Sequence, residues 1–170
     1  MYSKIEGRKI NIALVGGGGI ASNHLNAIKS YSKDLNLMAV CDVNLEALNA
    51  LELGSGVLRF TDYLEMIEIE GLDLISICTP SGLHPQQTLL AAGKFLNVMT
   101  EKPMSIKWQD GLDMIKACKK SNTRLFVVKQ NRYNKYVTLL KEAIDKGLLG
   151  KIHLIQSNVF WTRPQSYYDA

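Results

Sequence analysis

The 170-residue sequence predicts an α/β fold, a doubly wound parallel sheet, on three observations. Six short apolar runs fall within the first 130 residues and lack polar–apolar alternation, as strands covered on both faces do. Stretches with helical spacing separate them, so crossovers of one hand join successive parallel strands. The first run ends in four glycines, Gly16 to Gly19.

Residues 9–15, ending Ala-Leu-Val, form the first expected strand, and residues 20–31 the helix after it, with Ile20, Ala21, His24, Leu25, Ala27 and Ile28 near helical spacing. A second strand spans 37–41. The helix predicted over 45–53 is closed by Gly54. A short third strand covers 57–60, and Asp62 with Glu65 has capping-box spacing for a brief helix to about residue 69. Strands at 73–78, 95–100 and 124–128 then alternate with helices over about 85–92 and 108–121. Residues 1–129 thus make one complete domain. Residues 130–170 differ: a helix over 136–146 capped by Gly147 precedes an alternating strand over 151–161 that has no partner strands in the sequence. They are expected to open a second, α+β domain for substrate binding and oligomerisation, truncated here.

Composition narrows the class. A chain 46% hydrophobic and 21% charged has globular composition. Cys41, Cys78 and Cys118 lie far apart with no C-x-x-C spacing, which argues against a zinc site or a disulfide framework and for reduced core thiols in a cytoplasmic protein. The apolar stretch 10–21 holds the four glycines and falls short of the roughly 20 residues of a spanning helix, so no membrane partner is expected. Net charge is +4 but uneven: residues 1–99 carry 7 Lys and Arg against 10 Asp and Glu, residues 100–170 carry 13 against 6. The basic part is either a solvated face or the seat of a partner with phosphates or carboxylates. No recognised nucleic-acid motif accompanies it.

Gly16, Gly18 and Ala21 satisfy G-x-G-x-x-A after a strand and before a helix. The first glycine permits the tight turn, the second lets backbone approach a pyrophosphate, and the small third residue allows close helix–strand packing. With Gly19 and Ile20, the loop brings helix N–H groups to the phosphates. Asp42 ends the second strand, where a carboxylate accepts from ribose hydroxyls and repels a 2′-phosphate. Asp42 could instead cap the helix that follows, a task Asn44 also suits. Together these features predict a Rossmann dinucleotide-binding domain that takes NAD rather than NADP.

Two later loops fall at carboxyl ends of strands, where open α/β sheets bind ligands: Thr79-Pro80-Ser81-Gly82-Leu83-His84 and Glu101-Lys102-Pro103. Lys102 is a candidate for acid–base work, because a lysine beside a cationic nicotinamide and away from water exchanges a proton with a hydroxyl more readily. The alternative is a surface lysine paired with Glu101.

The glycine loop with His24, then Thr79-Pro80 with His84, then Glu101-Lys102-Pro103, resembles the glucose–fructose oxidoreductase/inositol dehydrogenase (Gfo/Idh/MocA) family. Lys129-Gln-Asn-Arg-Tyr-Asn134 and the segment from Asn158 to Asp169 are similar to one subgroup, the UDP-N-acetyl-glucosaminuronate 3-dehydrogenases of bacterial surface-polysaccharide synthesis. The resemblance implies that Lys102 is the active-site lysine and that Glu101 contacts the nicotinamide ribose. It implies that Thr79, Ser81 and His84 line the cofactor, with Pro80 shaping that loop. Gln130 would approach the nicotinamide, while Asn131, Arg132 and Tyr133 would face the substrate with Lys102. Trp161 and Arg163 would add cofactor contacts. The aromatic residues Tyr133, Trp161, Tyr167 and Tyr168 could instead pack against a missing domain.

Family members run to about twice this length, and their second domain supplies the substrate floor, a subunit interface and a catalytic His. The resemblance therefore implies a fragment of an NAD-dependent sugar dehydrogenase acting on a nucleotide sugar, a homo-oligomer at full length. Two rivals remain: a sibling enzyme acting on inositol or another sugar, and a module that binds NAD without catalysis.

Overall fold

The computed structural model describes residues 5–165. Contacts divide the chain into two compact units, Met1–Lys129 and Gln130–Ala170.

Among the described residues the first unit contains six strands: β1 (Ile10–Val15), β2 (Leu35–Cys41), β3 (Leu58–Phe60), β4 (Leu74–Ile77), β5 (Asn97–Thr100) and β6 (Leu125–Val127). Their order is β3-β2-β1-β4-β5-β6 and every pair is parallel. The order reverses at β1, between β2 and β4, and this switch point opens a crevice at the carboxyl ends of the strands. Five helices connect the strands: α1 (Ala21–Ser30), α2 (Leu45–Asn49), α3 (Tyr63–Met66), α4 (His84–Gly93) and α5 (Trp108–Lys120).

The strands form where they do because both faces of the sheet are buried. Ala13 and Val15 join Ala39, Cys41, Ile75, Ile77 and Val98 in a cluster closed by Met66 and Ala91. Leu14 and Val40, on the other face, meet Ala21 of α1 and Leu48 of α2. Burying one such side chain contributes about 1.5–3 kcal/mol, so continuous apolar runs are what this topology selects.

The expected elements of the first unit are present, with one marked difference. Helix α2 ends at Asn49, and Ala50, not Gly54, is its C-cap. The apolar Leu51, Leu53 and Val57 pack as loop residues against the Leu14 cluster, so tertiary burial continues the helical spacing after the helix has stopped. Asp62 caps α3 by accepting from the Leu64 amide.

The second unit holds a 3₁₀ turn (Gln130–Tyr133) and α6 (Lys135–Asp145). The Asn134 side chain accepts from the Tyr136 amide at the start of α6, a cap worth about 1 kcal/mol. At its end the Leu148 amide returns to the Ala143 carbonyl and Gly147 takes φ +68°. The strand expected over 151–161 does not form: these residues carry no ladder. Alternation supplies a two-faced side-chain pattern, but a strand exists only by hydrogen bonding to a neighbour, and none of the described residues provides one. Tyr167, Tyr168 and Asp169 lie outside the described residues.

Candidate functional site

Four strand ends build the site: β1 runs into Gly16, β2 into Asp42, β4 into Thr79 and β5 into Glu101. Gly16 has φ +98°, and a Cβ there would stand 2.7 Å from the Cys78 carbonyl carbon and 2.8 Å from the Thr79 nitrogen. The first glycine therefore lets the β1 turn lie directly on the turn after β4. Around a Cβ at Gly18 or Gly19 there is nothing within 4 Å. Both are exposed, leaving open space above the loop, and Ile20 brings no side-chain acceptor to the start of α1. An uncapped helix N-terminus beneath a bare glycine backbone fits a pyrophosphate.

Asp42 is tied to that loop. Its Oδ2 accepts from the Gly17 amide at 2.5 Å and its Oδ1 from the Asn44 amide at 2.7 Å. The cap of α2 is Asn44, whose Oδ1 accepts from the Glu46 and Ala47 amides. Asp42 is thus left half-buried at the crevice with the lone pairs a pair of ribose hydroxyls needs.

The Thr79 hydroxyl donates to Gln87 Oε1 of α4 at 2.6 Å. Pro80 is exposed and Ser81 half-buried beside it. His84 lies behind the Thr79–Pro80 turn. It is 1% exposed, with Nε2 2.8 Å from the Thr79 carbonyl and Nδ1 3.0 Å from the Pro103 carbonyl. A ring between two carbonyls braces the two loops against each other, and its nitrogens face backbone.

Glu101 is buried, and its partner is His24, not Lys102: the His24 Nε2 to Glu101 Oε1 distance is 2.9 Å. The other carboxylate oxygen accepts from the Lys102 amide at 3.1 Å. The Lys102 side chain is exposed rather than withdrawn from water, beside a cis Lys102–Pro103 bond.

In the second unit, Gln130, Asn131, Arg132 and Tyr133 form the 3₁₀ turn and all four are exposed. The Arg163 guanidinium lies 4.6 Å over the Trp161 ring, so these two side chains contact each other.

All three thiols are buried. Burial pushes Cys78 up to about 12 and Cys41 up to about 11, and Cys118 is raised by the same cause. An apolar hollow of about 650 Å³ borders β1, β4, β5 and β6 and is lined by residues such as Ile10, Leu74, Met99 and Phe126. Of the site residues it shares only His24, and its lining is mostly apolar.

Three participants escape sequence reasoning: Gly17, whose amide binds Asp42; Gln87, which holds Thr79; and Gly111, where a Cβ would stand 2.9 Å from both Met104 Cε and Ser105 Oγ. Gly111 lets α5 press against the loop after Pro103. Gly17 was open to inspection in the glycine run, whereas the other two show only in the folded chain.

Comparison with known proteins agrees with this geometry. The model of the Gfo/Idh/MocA oxidoreductase family, NAD-binding Rossmann fold, matches residues 10–129. Among solved structures, the WlbA dehydrogenase of Chromobacterium violaceum, in complex with NADH and UDP-GlcNAcA, is 44% identical with a TM-score of 0.92, covering 97% of this chain and 48% of that one. The WlbA dehydrogenase of Bordetella pertussis, with the same two ligands, is 46% identical with a TM-score of 0.90, covering 95% and 50%. The myo-inositol 2-dehydrogenase of Thermotoga maritima is 29% identical over 148 residues, 86% of this chain and 44% of that protein. The chain spans about half the length of the relatives it matches.

Proposed function

This chain belongs to the Gfo/Idh/MocA oxidoreductase family through an NAD-binding Rossmann domain, and from that premise we propose that it is the cofactor-holding half of a UDP-N-acetylhexosaminuronate 3-dehydrogenase. The observation that carries the substrate is the likeness to the two WlbA enzymes at 44 and 46% identity over nearly the whole chain, against 29% for the myo-inositol 2-dehydrogenase. The excess of 13 basic over 6 acidic residues beyond position 99 suits a ligand bearing a pyrophosphate and a carboxylate.

In this reading Gly16, Gly18, Gly19 and Ile20 hold the pyrophosphate on backbone and the start of α1, and Asp42 accepts from the adenosine ribose. Thr79, Pro80 and Ser81 form the wall beside the dinucleotide, with His84 bracing that wall from behind. Glu101 accepts from the nicotinamide ribose. NAD, when bound, supplies the hydride acceptor. Lys102, as the neutral amine, orients the C3 hydroxyl of the sugar by hydrogen bonding and shares with a His outside this chain in taking its proton as the alcohol becomes a ketone.

The test has two parts. Calorimetric titration of this chain with NAD and NADP is expected to give tighter binding of NAD. In a protein of the relatives' full length that carries this chain, NADH formation at 340 nm is followed with UDP-GlcNAcA, UDP-GlcNAc, myo-inositol and glucose 6-phosphate. Turnover of UDP-GlcNAcA above the rest supports the reading. Turnover of myo-inositol or glucose 6-phosphate instead assigns the chain to the sibling enzymes, and NAD binding with no turnover of any assigns it to a binding module.

A further inference from the structure

The sequence singles out His24 without giving it a task, and the site proposed above makes no direct use of it. It lies on the buried face of α1 with Ala21 and Ile28, one turn beyond the glycine loop. Its ring joins two strands: Nδ1 is 2.9 Å from Ser76 Oγ on β4, and Nε2 is 2.9 Å from Glu101 Oε1 just past β5. Ser76 is fully buried, and the side chains of His24 and Glu101 are 9% and 10% exposed.

Hydrogen-bond arithmetic sets the direction of this chain of groups. A carboxylate only accepts, so the proton between His24 and Glu101 sits on Nε2. Nδ1 of a neutral ring then accepts, and the Ser76 hydroxyl donates to it. A doubly protonated ring would donate from Nδ1 to the Ser76 hydroxyl instead, and Nε2 donates to Glu101 in either case. Glu101 is held at both oxygens, by the His24 ring at Oε1 and by the Lys102 amide at Oε2. A largely buried carboxylate with one of these partners removed would be poorly compensated and would turn toward water.

We propose that His24 is a positioning residue for the dehydrogenase site: it fixes the rotamer of Glu101, and so the carboxylate offered to the cofactor, from the helix that the phosphate-binding loop begins. The proposal rests on the reading of the site given above. It ties the two ends of the dinucleotide together, since the helix under the pyrophosphate also sets the acceptor at the nicotinamide ribose.

The test combines a spectroscopic reading without ligand and a binding series. Long-range ¹H–¹⁵N spectra of the unliganded chain are expected to show His24 with a proton on Nε2. His24→Leu keeps the bulk and loses both hydrogen bonds, and is expected to weaken NAD binding roughly tenfold, the effect of losing one hydrogen bond to a charged group. His24→Gln restores a donor toward Glu101 and is expected to recover most of that loss at a Tm no higher than that of His24→Leu. Three results overturn the proposal: an Nδ1–H ring with bare Nε2, NAD binding by His24→Leu equal to that of the parent, or equal weakening in His24→Leu and His24→Gln. A parent chain with an Nε2–H ring that binds no NAD overturns the functional reading instead, and the spectrum tells the two failures apart.

Discussion

The Asp42 carboxylate accepts a 2.5 Å hydrogen bond from the Gly17 amide, so the acidic end of β2 and the glycine loop after β1 form one unit before any nucleotide is considered. The same carboxylate holds the Asn44 amide, which leaves little freedom for it to swing away. An acceptor fixed in this way recognises ribose hydroxyls without first being ordered.

Replacing the charge while keeping the shape tests that arrangement. Asp42→Asn is expected to weaken NAD binding about 10- to 100-fold, as hydrogen bonds to a charged group are worth about 1.5–3 kcal/mol. NADP, no longer repelled at its 2′-phosphate, is expected to lose less or to gain. Parallel calorimetric titrations of both cofactors check this, and an unchanged NAD/NADP ratio would refute it.

Gly16→Ala, at φ +98°, places a methyl against the Cys78–Thr79 peptide, which is backbone and does not swing aside as a flexible side chain would. The expected cost is about 1–3 kcal/mol. Thermal melts should show it as a fall of about 2–4 °C per kcal/mol for a chain of this size. Gly18→Ala, in open space, should melt with the parent and lose NAD affinity alone.

Lys102 is exposed, and no ion pair among the described residues includes it, so its removal should leave the fold alone. In a protein of the relatives' full length, Lys102→Ala is expected to lower turnover about 100- to 10,000-fold, the range of a general acid–base group. NAD affinity should stay within about threefold by calorimetry. A variant that turns over normally would remove the lysine from the mechanism.

Asp73 gives a pH-dependent stability. The Arg8 guanidinium, hydrogen-bonded to it at 2.6 and 2.7 Å, and the Asn11 amide hold its carboxyl below the ordinary value of 3.8. A depressed carboxyl stabilises the fold fully above its unfolded value and loses that contribution as pH falls through the folded one. Denaturation midpoints of the parent and Asp73→Asn should therefore differ most near pH 7 and converge as the pH drops below about 4. A gap that widens on acidification would contradict the assignment.

How far the sequence could be read depends on how local each cause is. β1 and β4 are legible because burial on both faces demands a run without polar–apolar alternation, unbroken in Ile12–Val15 and interrupted only by Ser76 in Leu74–Ile77. The glycine loop and Asp42 are legible because adjacent segments determine their chemistry. The end of α2 is not, since Leu51 and Leu53 keep helical spacing while serving as loop residues against the core. Residues 151–161 mislead for the opposite reason: the pattern is present and the pairing is not. The His24–Glu101 and His84–Pro103 contacts join residues 77 and 19 apart, and only the folded sheet brings them together.

The strand order also bears on how the chain emerges during synthesis. β1 meets β2 within 32 residues, yet its other neighbour, β4, is complete only at Ile77. Until then a nascent chain carries Ile12 to Val15 on an open edge that invites pairing with any extended segment nearby. At about 5–20 residues per second that exposure lasts a few seconds on the ribosome. Translation pauses taken before β4 has emerged from the ribosome should prolong it and raise the yield of misassembled protein, whereas pauses after β5 has also emerged should be harmless to β1.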